Sequence, residues 1–185
     1  VQTRRFYQLK NNAFSMKIAI DIRSLQNDRL TGVGLYLKKT LKNLLALDQN
    51  NQYLLFYSGF QPINQTALNS LSQFSNIEYF KINWPNKLLN FCLTFLNWPH
   101  FDNLIKADLF WFPNLTFYSF KKETQIAITI HDLSFIKYPD FYSKKRKLWH
   151  WAIKPLAKLK QAKRIIAVSE NTKNDLIKLF GLAAN

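Results

Sequence analysis

The segment between residues 31 and 34 carries residue types that could hold an anionic ligand. Gly32 and Gly34 stand directly before a run of leucines with helical spacing. Glycines at a helix start let a ligand approach the first backbone N–H groups, which favour anions. The segment lacks the lysine of a phosphate-binding loop, and Leu37 replaces the third glycine of a dinucleotide fingerprint. A tight turn and a ligand-facing loop are therefore equally compatible with it.

A histidine and an aspartate follow the apolar run over residues 125–130. His131 could hydrogen-bond a ligand hydroxyl or help to move a proton. Asp132 could orient His131, cap the following turn or bind a hydroxyl, and a structural role is favoured for an isolated pair of this kind. His100 and His150 are interpreted as packing or surface residues. Three scattered histidines and one cysteine predict no metal site.

The last amphipathic run of the chain begins at Ser169 and Glu170. A serine is a good N-cap because its side-chain oxygen accepts a hydrogen bond from the first turn of a helix. A glutamate suits the positive end of the helix dipole. Capping is the favoured interpretation of Ser169, whereas Glu170 could also contact a ligand.

Strands and helices are predicted to alternate along the chain, so that each segment above follows a strand. Predicted strands cover residues 17–23, 53–58, 77–82, 107–112, 125–130 and 164–168. Predicted helices cover residues 33–47, 67–74, 86–106 with an interruption at residues 98–99, 143–162 with a possible kink at Pro155, and 169–180. This alternation predicts an α/β fold with a doubly wound, mainly parallel, Rossmann-like sheet. Ligands of such sheets bind beyond the carboxyl ends of the strands, where the three segments should converge.

Length and composition are typical of one domain with a complete core. The chain has 185 residues, of which 48% are hydrophobic. Its longest apolar stretch, 88–98, is shorter than the ~20 residues that cross a bilayer as a helix. No secretory signal is visible, and the single cysteine, Cys92, indicates a reducing, cytoplasmic setting. Met16 directly precedes the first predicted strand, so we expect residues 1–15 to be a poorly ordered upstream extension and residues 16–185 to be the domain.

A formal net charge of +15 predicts attraction to an anionic partner. Residues 143–164 combine lysines with leucines and tryptophans. This pattern fits an ordinary surface helix, which is the favoured interpretation, and also a helix that lies on an anionic membrane. Nucleic acid is disfavoured as a partner, because the chain carries no helix-turn-helix, zinc or RNA-recognition signature.

Six segments in a fixed order carry a family resemblance. They are residues 20–23 (IDIR), 31–37 (TGVGLYL), 108–114 (DLFWFPN), 129–135 (TIHDLSF), 139–141 (PDF) and 165–176 (IIAVSENTKNDL). Together they resemble the N-terminal, acceptor-side domain of mannosyltransferase-like members of the family-4 GT-B glycosyltransferases, over about residues 16–180. The resemblance implies retaining transfer of a hexose from a nucleotide sugar to a glycan or lipid-linked acceptor, as in the synthesis of cell-envelope polysaccharides. It implies no metal or other cofactor.

The resemblance also implies roles for residues at the predicted edge of the sheet. The glycine turn would lie near the donor phosphates and the acceptor, the histidine would face the reacting sugar, and the first-strand motif would lie near the cleft floor. The candidate catalytic residues are His131 and Asp132, and the candidate donor- or acceptor-binding residues are Asp21, Arg23, Gly32, Gly34, Ser169 and Glu170. Leu35 stands where many relatives have arginine, so one anion contact is missing.

The donor-binding second domain of that family is not among these 185 residues. Without it, the charge on the leaving diphosphate would lack its main stabilisers. We therefore expect little or no transferase activity from these residues alone. The alternative is a non-catalytic binding subunit whose partner chain carries the donor domain. The expected location is the cytoplasm, with peripheral contact to the inner face of the membrane.

Overall fold

The computed structural model describes residues 16–121 and 123–182, which build one α/β domain around a six-stranded sheet. The strands are β1 (Lys17–Asp21), β2 (Gln52–Ser58), β3 (Ile77–Ile82), β4 (Leu109–Phe112), β5 (Gln125–Ile130) and β6 (Arg164–Ala167). Their order across the sheet is β3-β2-β1-β4-β5-β6, and every neighbouring pair is parallel. The predicted doubly wound, parallel architecture is confirmed.

Helices cover both faces of this sheet. They are α1 (Gly32–Leu47), α2 (Gln65–Leu71), α3 (Asn86–Phe95), α4 (Phe101–Leu104), α5 (Ser134–Lys137), α6 (Lys144–Ile153), α7 (Pro155–Gln161) and α8 (Glu170–Phe180). Leu37, Leu41 and Leu45 recur at helical spacing and bury α1 against one face, next to α2. Buried leucines and isoleucines of α3, α6, α7 and α8 pack on the opposite face. The strands between two helical layers are therefore apolar on both sides.

Phenylalanine rings fill the centre of the core on the α3 side. Phe56 of β2 makes edge-to-face contacts with Phe101 and Phe112, with ring centroids 5.6 and 6.0 Å apart. Phe110 and Phe112 are both fully buried on β4. Such pairs add to the free energy gained from burial, and they hold β4 and its following loop against the rest of the sheet.

Two predicted elements differ from the structure because of local backbone chemistry. The predicted helix over residues 143–162 is two helices rather than one kinked helix. Lys154 adopts a positive φ of 55°, and Pro155 begins α7, where its missing N–H costs no helical hydrogen bond. The first strand ends at Asp21 instead of Arg23, because a 3-10 turn begins at Arg23.

Three further expectations concern residues 1–15, membrane-spanning helices and metal sites. Residues 1–15, for which an upstream extension is predicted, lie outside the described residues. Within residues 16–121 and 123–182, the helices are all too short or too polar to pass through a bilayer. The same residues contain no group of three or more His, Cys, Asp or Glu side chains that could hold a metal ion.

Candidate functional site

The predicted site segments meet at the carboxyl edge of the sheet. Gly32 and Gly34 lie in the first turn of α1, which follows β1; His131 follows β5, and α8 follows β6. These strands are parallel, so their carboxyl ends share one edge. Tyr36 of α1 packs edge-on against His131, with ring centroids 4.9 Å apart. Thr172 of α8 donates a hydrogen bond from Oγ1 to the backbone oxygen of His131 at 3.0 Å. His131 therefore links the helices that follow the first and last strands.

An open cavity of about 370 Å³ lies at this junction. Residues from four segments line it, among them Val33, Asn114, His131, Tyr142, Arg146 and Trp149. An apolar wall with a few convergent polar groups is typical of small-molecule sites. A larger cavity of about 460 Å³ lies at the amino end of β1, beside Lys17. Ligands of parallel sheets bind at the carboxyl edge, so the smaller cavity is the candidate site.

The ring of His131 is held by the backbone that follows β4. Its Nε2 lies 2.9 Å from the oxygen of Pro113. A carbonyl oxygen only accepts hydrogen bonds, so Nε2 is the nitrogen that carries the proton. In the neutral ring, Nδ1 is then an acceptor, which can receive a hydrogen bond from a ligand hydroxyl.

Asp132 stabilises the turn after β5. Its Oδ1 accepts hydrogen bonds from the backbone N–H of Ser134, at 3.0 Å, and from the Ser134 hydroxyl, which also lies 2.5 Å from the hydroxyl of Tyr142. Of the three roles that the sequence left open, the structure shows turn capping. No hydrogen bond among the described residues joins the Asp132 carboxylate to the His131 ring. A ligand contact by the exposed Asp132 stays a prediction.

Asp21 and Arg23 form a buried ion pair at the end of β1. The Arg23 Nη2 lies 2.5 Å from Asp21 Oδ2, and the two side chains are only 14% and 3% exposed. The same nitrogen donates to Thr116 Oγ1 at 3.2 Å and to the backbone oxygen of Phe117 at 3.1 Å. The pair therefore ties the loop between β4 and β5 to the end of β1. Direct contact of either residue with a ligand stays a prediction.

Ser169 caps α8, as the sequence predicted. Its Oγ accepts a hydrogen bond from the backbone N–H of Thr172 at 3.2 Å. Glu170 is exposed and lies 3.6 Å from the ammonium group of Lys173. Neither Ser169 nor Glu170 lines the cavity beside His131, so a ligand contact by Glu170 also stays a prediction.

Helix α6 supplies lining residues that the sequence analysis did not assign to the site. Arg146, Trp149 and His150 face the cavity together, as residues three and four positions apart share one side of a helix. His150 stacks on Phe135 with ring centroids 4.0 Å apart, and its Nδ1 is buried without a hydrogen-bond partner. Burial lowers the pKa of His150, an effect that Asp132 opposes and Arg146 strengthens. A neutral imidazole is therefore favoured there at neutral pH. His150 packs, as expected, but it also lines the candidate site.

Comparison with protein families shows which family contains the domain that carries this site. The model of Glycosyltransferase Family 4 matches residues 32–185. The chain belongs to this family. A search of curated proteins and a search of solved structures each found no match. The matched region begins at Gly32 and includes α1, the cavity, His131 and all of α6. The site at the carboxyl edge therefore lies within a glycosyltransferase domain.

Gly32 and Gly34 of this family-4 domain differ in their surroundings. Thr31 caps α1 by accepting a hydrogen bond from the N–H of Gly34 at 3.4 Å. A Cβ atom at Gly34 would lie 2.8 Å from the backbone oxygen of Ser24, whereas nothing lies within 4 Å of a Cβ atom at Gly32. Gly34 is therefore needed for the close packing of α1 on the 3-10 turn. Gly32 leaves the N-terminus of α1 open on the surface.

We expect Gly34→Ala to destabilise the family-4 domain by about 1–3 kcal/mol, because the added methyl group meets a backbone oxygen that cannot move cheaply. Gly32→Ala, two residues away in the same helical turn, should leave stability unchanged or raise it slightly, since alanine favours helix over glycine by about 1 kcal/mol. Urea unfolding of both variants measures the difference. Equal losses would contradict the packing role assigned to Gly34.

Proposed function

We propose that this family-4 domain is the acceptor-side wall of an enzyme that transfers a hexose from a nucleotide sugar. The acceptor is a glycan or a lipid-linked glycan, and the anomeric configuration of the hexose is retained. The observation that carries the proposal is the shared cavity, which Val33 of α1, His131 and Arg146 of α6 line together in a domain of this family. No metal or other cofactor takes part in the proposed reaction.

The lining of the cavity suits a carbohydrate. Rings such as Trp149 and Phe135 offer apolar faces, and a sugar presents apolar C–H faces between its hydroxyls. His131 Nδ1 accepts a hydrogen bond from a hydroxyl near the reacting carbon, and the Tyr142 hydroxyl lies at the same cavity. Arg146 adds a cation that attracts an anionic group of the donor or of a lipid carrier. In the proposed site, this chain thus orients sugar hydroxyls and attracts phosphate.

Transfer of the hexose needs a second protein surface on the opposite side of this cavity. The cavity is open to solvent, and Arg146 is the single lysine or arginine among the residues that line it. The diphosphate that leaves the hexose carries charge that must be stabilised in the transition state. We therefore propose that donor binding and transfer require a further domain or a partner subunit. The residues described here should bind acceptor and show little or no transfer by themselves.

A transfer assay tests the proposal. The 185-residue chain is incubated with labelled nucleotide hexoses and with glycan or lipid-linked acceptors, first alone and then joined to a donor-binding domain of the same family. Transfer is expected from the joined protein only, without loss of rate in a metal chelator. NMR of the product should show the anomeric configuration of the donor. Inversion would overturn the retaining mechanism, and the absence of transfer from every nucleotide hexose would overturn the proposed activity.

A further inference from the structure

Helix α3 has an apolar outer side in addition to its buried side. Its inner side places Leu89 and Leu93 in the core. On the outer side, Leu88, Phe91 and Phe95 are 50%, 56% and 62% exposed, and the last two rings lie 4.9 Å apart. A helix on a domain surface normally turns polar residues to water. An exposed apolar stripe of this kind marks a surface that contacts something other than water.

The junction of α6 and α7 has the same character, with lysines added. Trp151 is 66% exposed and Leu156 is 41% exposed. They line a shallow depression of about 520 Å³ together with Lys154 and Lys160. The stems of lysines can cover apolar surface while their ammonium groups reach outward to anions.

These two regions form one surface. A depression of about 330 Å³ is lined by Phe95 of α3 and by Lys154 and Ala157 at the α6–α7 junction. Lys154 and Ala157 also line the depression that contains Trp151 and Leu156. The α3–α7 surface, defined here as Phe91, Phe95, Trp151, Lys154, Leu156 and Lys160, is therefore continuous.

The charge around the α3–α7 surface has one sign. Residues 143–164 contain nine lysines and arginines and no aspartate or glutamate, and residues 86–101 contain one lysine and no acidic residue. A second copy of this chain would bring the same charges together, which opposes self-association through this surface. Exposed aromatic residues among lysines instead match the composition of surfaces that bind anionic lipid.

We propose that the α3–α7 surface docks on an anionic lipid bilayer. Phe95 and Trp151 enter the boundary between headgroups and acyl chains, and Lys154 and Lys160 contact lipid phosphates. Trp149, on another side of α6, lines the candidate cavity, so docking brings that cavity close to the headgroups. A sugar acceptor on a lipid carrier would then reach the cavity without leaving the membrane. The docking itself does not depend on the proposed transfer reaction.

Vesicle flotation of the chain, without donor or acceptor, tests this proposal. Vesicles of phosphatidylcholine alone are compared with an equal mixture of phosphatidylcholine and phosphatidylglycerol, and the chain should float with the mixture only. The double variant Phe95→Ser, Trp151→Ser should bind the mixture at least about ten-fold more weakly. Charge reversal at Lys154 and Lys160 should weaken binding about a hundredfold or more. All four side chains are substantially exposed, so these variants should keep the fold.

Matched variants on the opposite face of the sheet provide the controls. Leu47→Ser removes an exposed apolar side chain from α1, and charge reversal at Lys39 and Lys42 changes exposed lysines of the same helix. These changes should leave flotation within about two-fold of the unchanged chain, because they lie away from the bilayer. Equal binding to both vesicle types, binding to neither, or an equal loss in the α1 variants would overturn the proposal. A concentration-dependent dimer that the Phe95 and Trp151 changes abolish would assign the surface to a second copy instead.

Discussion

Replacing Asp21 with alanine is expected to lower the free energy of unfolding by about 3–5 kcal/mol, the cost of leaving a buried charge without its partner. The Arg23 guanidinium, 14% exposed, would keep only Thr116 Oγ1 and the Phe117 oxygen as acceptors. Neither acceptor carries the charge that offsets the desolvation of the cation. The loop between β4 and β5 would also lose its firm attachment to the end of β1.

Removal of both charges separates this effect from simple truncation. Asp21→Ala combined with Arg23→Met removes both charges and keeps much of the volume, so its loss should be less than half of that of Asp21→Ala alone. Glu123→Ala breaks an ion pair with Lys163 in which the glutamate is 80% exposed, and it should leave the free energy of unfolding almost unchanged, because water screens an exposed pair. Urea unfolding at neutral pH measures all three. The buried-pair argument fails if Asp21→Ala costs no more than Glu123→Ala.

The sequence predicted the sheet well because its strands are short apolar runs between helices of clear period. Residues 125–130 form a strand over the predicted range, since their β-branched side chains suit a parallel strand that is buried on both sides. Residues 77–82 also form a strand over the predicted range, although β3 lies at the edge of the sheet and exposes Glu78, Tyr79 and Lys81. The break between α6 and α7 at Lys154 was not predicted. Nothing in the sequence indicates that the lysine at this position adopts a positive φ. The break before Pro155 depends on the separate packing of α6 and α7 against the core.

The candidate site was predicted in part, and the part that was missed depends on long-range contacts. The rule that ligands bind at the carboxyl edge of a parallel sheet was enough to bring Val33 and His131 to one place. Nothing local indicates that Pro113, eighteen residues earlier, accepts a hydrogen bond from His131. The spacing of Arg146, Trp149 and His150 predicts a common helix side, but the direction of that side is fixed only by the packing of α6.

The structure also divides the predicted site residues by what they contact. Ser169 and Asp132 satisfy backbone N–H groups at the start of α8 and in the turn after β5, and Arg23 satisfies a loop carbonyl. These contacts already account for their presence at the edge of the sheet. His131 is different, because its hydrogen bond to the fold uses Nε2, so that Nδ1 can accept a hydrogen bond from a ligand. It is therefore the residue whose replacement tests the proposed reaction most directly.

His131→Ala is expected to lower the transfer rate, kcat/KM, by about 10²–10⁴ in the chain joined to a donor-binding domain, because a group that orients or exchanges a proton with the reacting sugar is lost. His131→Gln distinguishes this role from a purely structural one. The glutamine amide can donate to the Pro113 oxygen as Nε2 does, but it provides no counterpart of the Nδ1 lone pair at the ring position. Both variants should therefore be slow if Nδ1 contacts the substrate.

His100→Ala provides the matched control, since His100 Nδ1 also hydrogen-bonds within the fold, at 2.8 Å from Ser119 Oγ, but does not line the cavity beside His131. Its transfer rate should stay within a few-fold of the unchanged protein. Thermal unfolding of all three variants shows whether any loss of rate comes from loss of fold. Recovery of the rate in His131→Gln would limit His131 to holding Pro113 in place. An unchanged rate in His131→Ala would remove His131 from the site altogether.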